Sequence, residues 1–296
     1  MSKSLFLLFT LLCTLPASAQ LGESLRERIA NLRQSTTTPG AEELSYGTDP
    51  LQKLDYWKPT TPGSPLVIFV HGGGWKRGDK RGAVGAKGAH FLEQGYAFAS
   101  VNYRLVPTNT VEEQAQDVAN AIAYLIKNAE KLSFDSKRVA LMGHSAGAHL
   151  VALVGTDLSY LKQAEVDTKS LRGIIPLDGA AYDVPRQIAE GGNFMHDTYL
   201  EAFGSDPERQ KKLSPTAQAA APNAPAFLIL HVQREDGTAQ SIALGEALRK
   251  AETPAEVKGF PGQGLKGHME INRDLGKPDY PATPVVDAWL KKVFAQ

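Results

Sequence analysis

The chain has 296 residues, 42 % of them apolar, and its 32 basic and 32 acidic side chains cancel. That length suits one large α/β domain, and zero formal charge argues against nucleic acid or an anionic membrane surface as a partner, since both need a basic excess. The single cysteine, Cys13, builds neither a disulfide framework nor a thiolate metal site.

The first residues read as a cleavable export signal over 1–19. Lys3 supplies the charge, Leu5 to Leu15 the apolar run, Pro16 the break and Ala17-Ser18-Ala19 the small-x-small cleavage site. About eleven apolar residues fall short of the ~20 that a spanning helix needs, so no integral membrane association is expected. The expectation is a secreted or periplasmic protein whose mature chain, 20–296, is a single cysteine-free domain.

Gly22 to Gln34 has the spacing of an amphipathic helix, and Ser35 to Gly40 breaks it. Leu51 to Trp57 alternates loosely as an early strand. Leu66 to Val70 is an unbroken apolar run between turn signals, the pattern of a strand buried on both faces of a parallel sheet. Strand-like Tyr96–Val101, Arg138–Met142, Gly173–Leu177, Ala226–Val232 and Ala255–Phe260 then alternate with helical Val111–Ala129, Ala146–Gly155, Thr238–Ala251 and Pro284–Phe294. This rhythm predicts an α/β fold with a mostly parallel central sheet and helices on both faces. The weakly periodic stretch of about 182–224 reads as a small cap inserted over the carboxyl edge of the sheet.

The chemistry concentrates where Val139–Met142 runs into Gly143-His144-Ser145-Ala146-Gly147 and a helix pattern follows. A strand entering Gly-x-Ser-x-Gly and leaving as a helix is the context of a nucleophile elbow, a turn so tight that flanking residues must lack bulk. Upstream, Leu66–Val70 ends in His71-Gly72-Gly73-Gly74-Trp75. Glycines turn backbone amides inward, and the N–H groups of Gly73, Gly74 and Ala146 are the candidate oxyanion hole. A phosphate loop shares the Gly73…Gly78 spacing, but Asp79-Lys80 stands where the Lys-Ser/Thr pair belongs. Lys76, Arg77, Lys80 and Arg81 read as a solvated rim.

Of seven histidines, His268 lies after the last predicted strand, where the chain order nucleophile, acid, histidine places the base, and there it is expected on a loop. His71, His144 and His149 fall inside the two motifs and read as packing or hydrogen-bonding residues. The acid is expected after the Ala226–Val232 strand. Asp236 is preferred, Glu235 is the alternative, and Asp178, after the preceding strand, is a third candidate. Trp75, Phe194, His196 and Tyr199 are candidate substrate-binding residues. No metal is expected, because His144 and His149 are five apart rather than four and cysteine ligands are lacking; nor is a dinucleotide cofactor, because no Gly-x-Gly-x-x-Gly follows a strand.

His71-Gly72-Gly73-Gly74-Trp75, Asn102-Tyr103-Arg104-Leu105 and Gly143-His144-Ser145-Ala146-Gly147 together resemble the α/β-hydrolase fold, and more narrowly the hormone-sensitive-lipase-like and feruloyl-esterase-like carboxylesterases, from about Leu51 to Phe294. The resemblance implies a serine carboxylic ester hydrolase acting on small or medium esters through an acyl-enzyme, with no cofactor. It matches Ser145 to the nucleophile, His268 to the base and Gly73, Gly74 and Ala146 to the oxyanion donors. Kynurenine formamidases share the loop style, so an arylformamidase-like amide hydrolase is the alternative. A non-catalytic hydrolase-like binding protein is a third reading, whose usual mark is loss of the nucleophile or base. Two departures stand out: the segment after Val232 is shorter than the common Asp-x-x-Val-Pro arrangement, and Tyr103-Arg104-Leu105 continues as Val106-Pro107 rather than Ala-Pro-Glu.

Overall fold

Seven consecutive residues of Ser64–Val70 are buried, because this strand has a hydrophobic layer on each side. Leu66, Ile68 and Val70 join one core cluster and Val67 and Phe69 the other, which is why the run shows no polar alternation. The computed structural model describes residues 40–190 and 192–296. The export signal, Cys13 and the Gly22–Gln34 helix lie outside the described residues.

The strands are β1 (Glu42–Ser45), β2 (Lys53–Trp57), β3 (Ser64–Val70), β4 (Ala97–Val101), β5 (Phe134–His144), β6 (Leu171–Leu177), β7 (Phe227–Gln233) and β8 (Ala255–Gln263). They form one sheet in the order β1-β2-β4-β3-β5-β6-β7-β8. The β1–β2 and β2–β4 pairs are antiparallel, and every pair from β4 through β3 to β8 is parallel. The doubly covered parallel sheet expected from the rhythm is the one observed. β1 was not expected; only four residues long and mostly exposed, it carries no apolar run.

The helices, numbered among the described residues, are α1 (Lys87–Glu93), α2 (Val111–Lys127), α3 (Ala129–Leu132), α4 (Ala146–Thr156), α5 (Ser159–Gln163), α6 (Val184–Glu190), α7 (Gly192–Phe203), α8 (Pro207–Lys212), α9 (Pro215–Gln218), α10 (Glu235–Lys250), α11 (Gly264–Asp274) and α12 (Ala282–Phe294). α2 starts where Thr110 and Glu113 form a reciprocal capping box. α4 is buried at every residue, as its apolar sequence requires. α12 lays Trp289 against β6 at Gly173, where an added Cβ would stand 2.2 Å from the ring. The stretch between β6 and β7 is occupied by the four helices α6 to α9.

The expected solvated rim is corrected at Lys80, which is 2 % exposed. Its ammonium donates to Asp55 Oδ1 at 2.6 Å and to Glu43 Oε2 at 2.9 Å, and Arg81 reaches the same two acids. These charges tie the loop after β3 to β1 and β2, and the Lys80 hydrogen bond holds the Glu43 carboxyl down at about 2. A buried charge of this kind is tolerated only because it is paired. Lys80→Met should therefore lower the unfolding free energy in urea by about 3 kcal/mol, the cost of stranding Asp55; a loss below about 1 kcal/mol would show that Arg81 alone satisfies the acid.

Candidate active site

Ser145 stands between the end of β5 and the start of α4 with φ 56° and ψ −119°, a backbone state that side-chain-bearing residues rarely adopt. Contacts on both sides hold it there. A Cβ on Gly147 would lie 2.3 Å from Val70 O and 2.4 Å from His71 O, and one on Gly143 would lie 2.3 Å from Gly147 O. Only glycine fits at either position, so the motif's spacing has a steric cause. The Ser145 N–H donates to Leu177 O at 3.1 Å, and its carbonyl accepts from His149 N at 3.1 Å.

The His71–Trp75 loop lies directly against this turn: a Cβ on Gly72 would come within 2.9 Å of Ser145 Cβ. Gly73 and Gly74 have φ 127° and 61°, and the Gly73 carbonyl accepts from Arg77 N at 3.2 Å, which curls the loop. The Ala146 N–H belongs to the first turn of α4, where amides have no intrahelical acceptor. The structure thus brings the His71–Trp75 loop, through Gly72, and the Ala146 amide to the side of Ser145.

The motif residues outside the glycines brace the loop. Buried His71 donates from Nδ1 to Gly72 O at 2.6 Å and stacks on Tyr103 with 4.4 Å between centroids. Burial pushes its pKa down to about 4, so the ring is neutral at ordinary pH. Tyr103 Oη donates to His71 O at 3.0 Å, and Arg104 makes a forked pair with buried Asp117 at 2.8 Å on each arm. Trp75 also belongs to this frame. Its Nε1–H donates to His149 Nδ1 at 3.3 Å, and His149 Nε2–H donates to Leu213 O at 2.8 Å. The indole packs edge-on against Phe203 at 4.7 Å and Tyr199 at 6.0 Å, both on α7.

That geometry corrects the expectation for the binding residues. Trp75 and Tyr199, 2 % and 5 % exposed, are wedges between the loop and α7 rather than a pocket lining. His196 is half-buried on α7, and the Phe194 side chain lies outside the described residues.

His268 lies in helix α11, not on a loop, because β8 passes through Gly262 and Gly264, both with positive φ, straight into the helix. Its Nδ1–H donates to Asp178 Oδ2 at 2.5 Å. The sequence preference for Asp236 is thereby corrected. Arg234 caps α10, so Glu235 and Asp236 fall in the first helical turn; Asp236 Oδ2 instead accepts from Gln187 Nε2 at 3.2 Å, and Glu235 is exposed. Asp178 occupies the end of β6, one strand earlier. Its N–H donates to Leu230 O at 2.7 Å, and its Oδ1 accepts from Val232 N at 3.0 Å. The signal lay in Pro176-Leu177-Asp178-Gly179, an acid at the mouth of a buried parallel strand.

Neighbouring groups fix the His268 ring. Buried His144 donates from Nε2 to His268 O at 2.9 Å, with ring centroids 4.4 Å apart. Burial keeps His144 neutral, its pKa pushed well below the ordinary histidine value. Lys87 donates to the Asn272 carbonyl and, at 3.0 Å, to its Oδ1, pinning the far end of α11 above Phe69. At Asp178 burial disfavours the charge, but the His268 hydrogen bond, the Arg234 charge and the Val232 amide together hold the carboxyl below its usual range.

The BD-FAE family model matches residues 54–248, about two-thirds of the chain. The chain belongs to the BD-FAE family. It is similar to Esterase LipC of Mycobacterium tuberculosis, 34 % identical over 207 residues that cover 64 % of this chain and 50 % of that protein. It is also similar to the isoprenylcysteine alpha-carbonyl methylesterase ICME of Arabidopsis thaliana, 34 % identical over 133 residues that cover 44 % and 29 % of the two chains. This BD-FAE chain thus spans half the length of LipC and less of ICME. Among solved structures, Esterase B from Lactobacillus Rhamnosis (HN001) superposes with a TM-score of 0.71 at 22 % identity, covering 94 % of this chain and 92 % of that one. The fold is therefore that of the α/β-hydrolase esterases, the fold the sequence motifs resemble.

A depressed Asp178 carboxyl has a thermodynamic consequence. Between its lowered folded value and the ordinary carboxylate value of about 3.9, the unfolded chain binds the extra proton, so its contribution is full above that window and lost as pH falls through it. Between about pH 5 and pH 3, Asp178→Asn should lose less stability in urea titrations than the parent. Identical slopes for the two proteins would contradict a depressed carboxyl.

Proposed function

We propose that this protein is a serine carboxylic ester hydrolase acting through an acyl-enzyme on small or medium esters, with Ser145 as nucleophile, His268 as base and Asp178 as the orienting acid. The observation that carries the reading is the 2.5 Å hydrogen bond from His268 Nδ1 to buried Asp178, beside a serine held at φ 56°. That bond leaves Nε2 as the ring nitrogen that takes the serine proton.

In the first half-reaction Ser145 Oγ attacks the ester carbonyl as its proton passes to His268 Nε2. The N–H groups of Gly73, Gly74 and Ala146 receive the oxyanion, a class of stabilisation worth about 2.7–4 kcal/mol per donor. The intermediate collapses as the leaving alcohol takes the proton from His268. In the second half-reaction His268 deprotonates water, the hydroxide attacks the acyl carbonyl, and Ser145 Oγ leaves with the returned proton. All proton transfers run between side chain, substrate and water, so no cofactor is needed. That LipC is an esterase and ICME a methylesterase supports an ester as the substrate class. The motif at residues 1–19 further supports action outside the cytosol.

Ser145→Ala should abolish hydrolysis of p-nitrophenyl acetate, and an alkyl phosphonate should label the Ser145 peptide alone. Asp178→Asn should lower kcat by about 10³–10⁴-fold, whereas Asp236→Asn should stay within a few-fold of the parent. Full activity in Asp178→Asn, or a collapse in Asp236→Asn, would overturn the assignment of the acid.

A further inference from the structure

The turn between β7 and α10, the expected place of the acid, delivers a cation to Asp178 instead. Arg234 Nε lies 3.2 Å from Asp178 Oδ2, the oxygen that also takes the His268 proton. Its Nη2–H donates to Gly179 O at 3.1 Å, so one guanidinium is ion-paired with Asp178, without a hydrogen bond from Nε, and hydrogen-bonded to the residue after it. A Cβ on Gly237 would stand 2.6 Å from Nη2, which gives that glycine a reason within the first turn of α10. The Arg234 side chain is 17 % exposed, so the ion pair is only weakly screened by water.

We propose that Arg234 is a positioning residue of the reaction: it clamps Asp178-Gly179 and offsets part of the carboxylate's charge, keeping His268 free of its proton, and so competent as a base, at a more acidic pH than Asp178 and His268 alone would allow. This rests on the triad proposed above. Two effects act in the same direction. The guanidinium repels an imidazolium on His268, and it weakens the attraction that Asp178 exerts on that imidazolium.

Other groups facing the pair are His144 from β5, Lys87 from α1, Tyr182 before α6, Asp236 in the first turn of α10, Tyr280 before α12, and Glu270 on α11 itself. His144 is held neutral, and the tyrosines are held protonated by burial. Lys87 is engaged with Asn272 at the far end of α11. Among the described residues, Arg234 is the one cationic side chain paired directly with the Asp178 carboxylate, apart from a protonated His268.

The test is the pH profile of kcat/KM for p-nitrophenyl acetate, measured on the full chain and on Arg234→Gln, Arg234→Met, Arg234→Lys and Asp178→Asn. Loss of the cation should move the acidic limb up by about one pH unit in both neutral variants. Arg234→Lys keeps the charge and loses the fork, so its limb should stay near that of the parent while kcat falls several-fold at unchanged KM. If both neutral variants keep the parental limb while Asp178→Asn is inactive, Arg234 serves packing alone and the proposal fails. If neither neutral variant folds while Arg234→Lys does, the residue is structural and the proposal also fails. An active Asp178→Asn would instead overturn the triad, a result distinct from either of these.

Discussion

The site depends on how closely the carboxyl ends of β3 and β5 approach. Gly147 rests on the carbonyls of Val70 and His71, Gly143 rests on the Gly147 carbonyl, and Gly72 closes on Ser145. A single methyl group at any of these points would force the strands or the turn apart. The contact places Ser145 and the glycine loop side by side without a bridging side chain, and it forces Ser145 into a backbone state costing on the order of 1–3 kcal/mol. Burial of α4 along its whole length, together with the Ser145 N–H bond to Leu177, offsets that strain.

The same bond explains why the acid sits well on β6. Leu177 accepts from Ser145, and the next residue is Asp178, so Ser145 and the His268 partner are anchored through consecutive residues at the end of one strand. Asp178 is then bonded to β7 through both its amide and its carboxylate. An acid at the start of α10 would sit in a helical turn preceded by the single connecting residue Arg234, without that anchorage to two strands. The short connection that makes the segment after Val232 depart from the common arrangement thus leaves the His268 partner to the neighbouring strand.

Much of this was legible in the sequence for a local reason. Buried parallel strands announce themselves as unbroken apolar runs, and the strand-to-helix turn at Ser145 and the glycine loop are contiguous motifs whose spacing is dictated by sterics, so both are legible from their neighbours alone. His268 followed from chain order, although its helix did not: Gly-rich 261–267 looks like a loop, yet Gly264 starts α11. Asp178 and Lys80 were misjudged because each is defined by partners far along the chain, His268 being 90 residues from Asp178 and Asp55 being 25 from Lys80. A charge near a glycine-rich turn looks solvated until the strand that covers it is known.

The aromatic residues near the site show the same separation between composition and geometry. Trp75 has φ 60°, costly for a side chain of its size, and it is held by two donors to its carbonyl, Val106 N at 3.1 Å and Gln114 Nε2 at 2.8 Å. Its ring is enclosed by His149, Tyr199 and Phe203, and full burial of such a side chain is worth about 3–5 kcal/mol against truncation to alanine. The oxyanion loop is therefore clamped between the sheet on one side and α7 on the other. Gly74 lies at that seam, where a Cβ would come within 3.1 Å of Thr198 and 3.9 Å of Met195, so its lack of a side chain makes room for α7. The helices between β6 and β7 thus press on the backbone of the glycine loop, a packing role that hydrophobicity alone does not distinguish from that of a substrate pocket.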